Sequence, residues 1–67
     1  IAWTKAEQAE KAAAARALYR AGKLFQDAKQ PARSLEAFTA ASKVQGVTDE
    51  VAKSQVEDAK RIVRRKR

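Results

Sequence analysis

A single proline stands at position 31 of a 67-residue chain whose only other strong helix breakers are Gly22 and Gly46. Proline lacks an amide hydrogen and pushes the residue before it out of helical geometry, so a helix arriving from the N-terminal side must stop near Lys29. The same ring suits the first turn of the next helix. Upstream, Thr4 and Glu7 have the spacing of a capping box, in which the hydroxyl accepts from the Glu7 amide and the carboxylate from the Thr4 amide. Between these signals the run KAAAARA has high helix propensity, and Ala6, Ala9, Ala13, Ala17, Ala21, Leu24 and Ala28 recur at three- and four-residue steps. Residues 4–29 are therefore predicted to form one long helix, its apolar stripe widened by Leu18 and Phe25.

A second helix is predicted over 31–45, with Leu35, Phe38, Ala41 and Val44 on one face and Gly46 as its left-handed C-cap. Thr48 reads as the N-cap of a third helix over 49–65. Asp49 and Glu50 suit the positive pole of its dipole, and Val47 is placed to meet Ala52 as a hydrophobic staple. The stripe of this helix is Val51, Ala52, Val56, Ala59, Ile62 and Val63. The fold class is all-α, an antiparallel three-helix bundle with tight turns, and Phe38 is expected between the first and third helices.

The core of such a bundle is thin. The apolar fraction is 45%, but much of it is alanine, which buries little area per residue. A domain of this size rarely draws more than about 3–5 kcal/mol from a single core, so packing partners are expected. Cysteine and histidine are both absent, which removes disulfides, the common nucleophile–base pairs and the usual zinc ligand sets. Glu7 with Glu10 and Glu57 with Asp58 lie among helical Lys and Arg and read as solvated faces. No glycine-rich phosphate loop is present. The expectation is a non-enzymatic chain with no catalytic residues, cofactor, metal or small-molecule substrate. No run approaches the roughly 18 apolar residues of a membrane span. The chain opens on Ile1 rather than methionine, the pattern of a processed or excised piece, and no compartment follows from the sequence.

The formal charge is +7, and its distribution matters more than its size. The last eight residues, KRIVRRKR, hold six of the fifteen Lys and Arg and no acid, so residues 1–59 carry only +1. This basic C-terminal end, Lys60, Arg61, Arg64, Arg65, Lys66 and Arg67, is a candidate contact for phosphates of RNA, DNA or an anionic membrane. It lacks interleaved aromatics, and it equally suits a solvated helix end at the negative pole of a dipole. Trp3 is expected to fold back as a terminal plug on the bundle.

Leu18, Ala21–Gly22, Phe25, Ser34, Leu35, Phe38 and Ala41 together resemble a tetratricopeptide repeat (TPR), over residues 15–48. Small Gly22, Ser34 and Ala41 would let two helices approach while Leu18, Phe25 and Phe38 fill the space beside them. Adding the family period of 34 to Leu18, Gly22 and Phe25 lands on Ala52, Val56 and Ala59, which makes the third helix similar to the first half of a further repeat or to a capping helix. The sequence differs from the family in having Lys29 where the turn often has glycine and Ser34 where alanine is usual. The helix pair bears a weaker resemblance to the microtubule-interacting-and-trafficking domain.

The resemblance implies a single TPR-like helical module spanning 1–67 that binds another protein or packs into an assembly. In the family the inner face of the first helix binds extended peptides, and the matching positions are Arg16, Tyr19, Lys23, Gln26 and Asp27, repeated on the third helix at Glu50, Lys53, Glu57, Lys60 and Arg61. The chain has no asparagine and does not supply the family's carboxylate clamp. The protein-binding residues expected are Arg16, Tyr19, Lys23, Lys53 and Lys60, with Tyr19 paired to Lys53 on one face that receives an acidic or extended segment. Self-association is a further expectation, through the alanine-rich strip at residues 6–17. The competing class is a small basic adaptor that binds nucleic acid or anionic lipid through the C-terminal end.

Overall fold

The computed structural model describes residues 4–66 as three helices, α1 (Lys5–Asp27), α2 (Pro31–Ser42) and α3 (Glu50–Lys66), running up, down and up, with each packed on the other two. Trp3 and Arg67 lie outside the described residues.

Each boundary has a local cause. At the start of α1, the Glu7 amide donates to Thr4 Oγ1 at 3.1 Å and the Thr4 amide to Glu7 Oε2 at 3.4 Å, completing the capping box. At its end, the Gln30 amide donates to the Phe25 carbonyl and the Lys29 amide to that of Gln26, at 2.9 and 3.1 Å. This is a Schellman closure, and it requires a left-handed residue at Lys29, whose φ is 60°. An L-residue is disfavoured there by Cβ–carbonyl crowding, while glycine is not. Lys29→Gly is expected to raise stability by about 0.5–1 kcal/mol, read as a higher urea midpoint with an unchanged slope.

Two predicted ends shift. α2 stops at Ser42 rather than 45, and Gly46, although left-handed with φ 78°, lies within the connecting loop rather than at the helix end. Asp49, not Thr48, caps α3: its Oδ2 accepts from the Ala52 amide at 2.9 Å. Thr48 is held elsewhere. Its amide and hydroxyl both donate to Gln8 Oε1, at 3.1 and 3.2 Å, while Gln8 Nε2 donates to the Gly46 carbonyl at 2.7 Å. One side chain of α1 thus ties down the loop between α2 and α3.

The core has two layers. The lower holds Ala12, Ala15, Ala52 and Val56, flanked by Val44 and Val47; the upper holds Phe38, Ala41 and Ala59, flanked by Leu18, Tyr19, Ile62 and Val63. Among the described residues Phe38 is the one large side chain that is fully buried, at 1% exposure, as its position between the first and third helices requires. Beside it α1 and α2 come close enough for the buried Ser34 hydroxyl to donate to the Gly22 carbonyl at 2.8 Å. The Phe38 ring occupies the space that a side chain at Gly22 would need.

The predicted stripe of α1 needs correction. Ala6, Ala9, Ala13, Ala17, Leu24 and Ala28 face outward, Leu24 at 62% exposure, and only Ala21 is partly covered. The covered face is instead Ala12, Ala15, Leu18, Tyr19, Gly22 and Phe25. Helix orientation follows the larger side chains, because burying leucine, tyrosine and phenylalanine removes far more apolar area from water than burying alanine. Val51 is likewise exposed, at 58%, whereas the rest of the α3 stripe is buried or partly buried.

Candidate functional site

Topology brings two basic segments to one end of the molecule. Because α1 and α3 both run upward, their C-terminal halves lie together beside the N-terminus of α2. Residues 20–29 hold three basic side chains and one acid, and residues 57–66 hold five and two. Those segments account for +5 of the formal +7, whereas residues 30–56 cancel to zero. The basic character therefore extends beyond the tail.

On the seam between α1 and α3 at this end, the Tyr19 hydroxyl donates to Asp58 Oδ2. Arg61 reaches the other oxygen of the same carboxylate at 3.3 Å, and Lys23 Nζ stands 5.4 Å from the centre of the Tyr19 ring. The ring meets Phe38 edge to face, with centroids 5.6 Å apart. Tyr19 is thus half-buried, engaged at both its hydroxyl and its ring, and does not lie beside Lys53. Its partner is 39 residues away rather than 34.

Donation to Asp58, followed by burial and the proximity of that negative charge, pushes the Tyr19 phenol up from 10.0 to about 12; Arg61 acts in the opposite direction. The folded protein therefore holds the phenolic proton more tightly than the unfolded chain. This contribution to stability is fully present below pH 10.0 and is lost as pH rises through about 12. Because the chain has one tyrosine, phenolate absorbance reads the site directly. A midpoint near pH 12 is expected, moving down toward the ordinary tyrosine value, about 10, in Asp58→Asn. A wild-type titration at the ordinary value would break the assignment.

The five expected protein-binding residues occupy different places. Arg16 borders a hollow with Gln8, Ala12, Thr48 and Asp49 on the lower α1–α3 seam. Tyr19 and Lys23 lie on the upper seam. Lys53 and Lys60 border a depression of about 300 Å³ with Val44, Gly46, Val47 and Val56, where α3 faces the loop from α2. The four residues Tyr19, Lys23, Lys53 and Lys60 do not form one face, because α3 turns Asp58 and Arg61 toward α1 and carries Lys53 and Lys60 on the α2 side. In the basic C-terminal end, Glu57 pairs with Lys60 at 3.3 Å and Asp58 with Arg61 at 3.3 Å. Arg64 and Arg65 are exposed beyond them, and Lys66 is the last residue of α3.

The sequence did not point to a groove of about 390 Å³ at this same end. It lies between Gln26 in the last turn of α1, Lys29 in the turn that follows, the first two turns of α2 (Pro31, Ser34, Leu35, Phe38) and Ile62 of α3. Leu35 and Phe38 were legible as one face of α2, but the place of Pro31 beside them and the opening opposite Ile62 depend on how the helices cross. Among the described residues, no helix is long and apolar enough to cross a membrane, and no three His, Cys, Asp or Glu side chains gather as a metal site would need. No family model, curated protein or solved structure matches this chain.

Proposed function

We propose that this chain is a non-enzymatic protein-interaction module, a TPR-like helical hairpin with a capping helix, that receives an acidic protein segment at its basic end. The observation that carries this reading is the convergence of residues 20–29 and 57–66, which together carry +5 of the formal +7, where the C-terminal ends of α1 and α3 adjoin. Exposed guanidinium groups offer paired donors to carboxylates, and a concentrated field speeds encounter with an oppositely charged segment.

The alternative is a basic adaptor for RNA, DNA or anionic membrane acting through residues 60–67. An apolar groove beside the cations suits a protein ligand better than a phosphate backbone, which makes no use of it. The test compares a fluorescent polyglutamate peptide, single-stranded RNA and anionic phosphatidylserine vesicles against the full chain. The peptide is expected to bind, with affinity falling as salt shortens the screening length. Arg64→Glu with Arg65→Glu should abolish that binding while leaving helicity intact. Binding of RNA or vesicles with no binding of the peptide would replace this reading with the adaptor.

A further inference from the structure

The groove beside the basic end narrows the chemistry of the partner; this step rests on the reading above. Pro31, Ser34, Leu35 and Phe38 occupy positions i, i+3, i+4 and i+7 of α2 and form a row about 10 Å long, with Ile62 facing it across about 390 Å³. That volume lies in the range of about 300–1,000 Å³ in which proteins hold whole side chains or small ligands. The polar groups of the floor are already engaged: the Ser34 hydroxyl donates to the Gly22 carbonyl, and the last carbonyls of α1 accept from Lys29 and Gln30. What the groove presents to a ligand is mainly apolar surface, with the exposed side chains of Gln26 and Lys29 on its α1 side.

We infer that the groove formed by Pro31, Leu35, Phe38 and Ile62 is the anchor site of an amphipathic acidic helix from a partner protein, with apolar side chains in the groove and carboxylates against the surrounding cations. The walls are helices and offer no free backbone ladder, so a segment buried there must satisfy its own amides, as a helix does. A row at helical spacing on one side and a single large residue on the other also suits ridge-into-groove packing.

Charge selects the sign of the partner. Among the described residues Lys29 is the only charged one that lines the groove, and exposed Arg65 lies one turn beyond Ile62 along α3. No acid lines it. A second copy of this chain would bring +7 to meet +7 and is opposed by long-range repulsion. A membrane surface would require apolar side chains that protrude, whereas Phe38 is 1% exposed and Leu35 and Ile62 are partly covered.

Two synthetic peptides of identical leucine, alanine and glutamate content separate groove docking from charge attraction. One places leucines at i, i+3, i+4 and i+7; the other scrambles them. Fluorescence anisotropy against the full chain is expected to give affinity at least about tenfold tighter for the ordered peptide, the effect of burying one large aliphatic side chain. Leu35→Gln should remove that preference while leaving the weak, salt-sensitive binding of the scrambled peptide, and Leu35→Ala should reduce the preference. Circular dichroism of both variants checks that the bundle is intact. Equal binding of the two peptides, or a preference that survives in a folded Leu35→Gln variant, overturns the groove assignment and leaves the charge-based function standing. Failure of both peptides to bind removes the function and the groove assignment together.

Discussion

Phe38→Ala is expected to unfold most of the chain at room temperature. Truncating a fully buried phenylalanine typically costs about 3–5 kcal/mol, the sum of lost transfer energy and the cavity left behind. A domain of this size has about that much to lose. The neighbours cannot close the gap. Ala41 and Ala59 have no longer side chain to extend into it, and Tyr19 is fixed at its far end by Asp58. Removing the ring also takes away the edge-to-face partner of Tyr19 and the surface on which Leu18, Ile62 and Val63 rest. The loss should spread through the upper layer. Thermal melts followed by far-ultraviolet circular dichroism would show a much lower or absent transition. Leu24→Ala is the control: it removes a larger aliphatic side chain than alanine from α1, but one 62% exposed, and should change stability by no more than about 0.5 kcal/mol. Equal melts for Phe38→Ala and wild type would place the core elsewhere.

The contrast between Phe38 and Leu24 also marks what the sequence could and could not tell. Helix number and approximate boundaries were legible because their causes are local: a capping box at Thr4, a proline at 31, and acids at 49 and 50. The choice between Thr48 and Asp49 as N-cap was not, since both residue types cap well and the decision depends on Gln8, about 40 residues away in the chain, holding Thr48. The buried face of α1 was misread for a similar reason. Alanine occurs on nearly every side of that helix, so its periodicity carries little orientational information. What decides the rotation is where α1 meets Phe38. The candidate site was legible only in pieces. Tyr19 and Lys23 could be singled out as neighbours on a helix, but the engagement of Tyr19 with Asp58 follows from the register between α1 and α3, which a 34-residue period misplaces. The charge of residues 20–29 likewise joins that of residues 57–66 only because the chain runs up, down and up.

Gly22→Ala should destabilise the protein even though alanine is the better helix former. In an exposed helix interior this exchange gains about 1 kcal/mol, chiefly from backbone entropy. Here a Cβ at position 22 would stand 2.7–2.8 Å from three atoms of the Phe38 ring, well inside normal contact. The ring has little freedom to yield, because it is 1% exposed and bounded by Ala41, Ala59, Leu18 and Tyr19. Moving α2 away instead would stretch the hydrogen bond from the Ser34 hydroxyl to the Gly22 carbonyl, now 2.8 Å, and leave both groups poorly paired in a buried place. Overpacking of this kind costs about 1–3 kcal/mol, enough to outweigh the gain in propensity, so a net loss is expected. The mechanism has its own signature. In a Phe38→Leu background the rigid ring is gone, and the added methyl at position 22 should cost less or become stabilising, a coupling of about 1 kcal/mol or more in a double-mutant cycle. Urea denaturation of the four proteins measures it. Additive effects, or a rise in stability for Gly22→Ala alone, would show that α1 and α2 do not owe their close approach to the absent side chain.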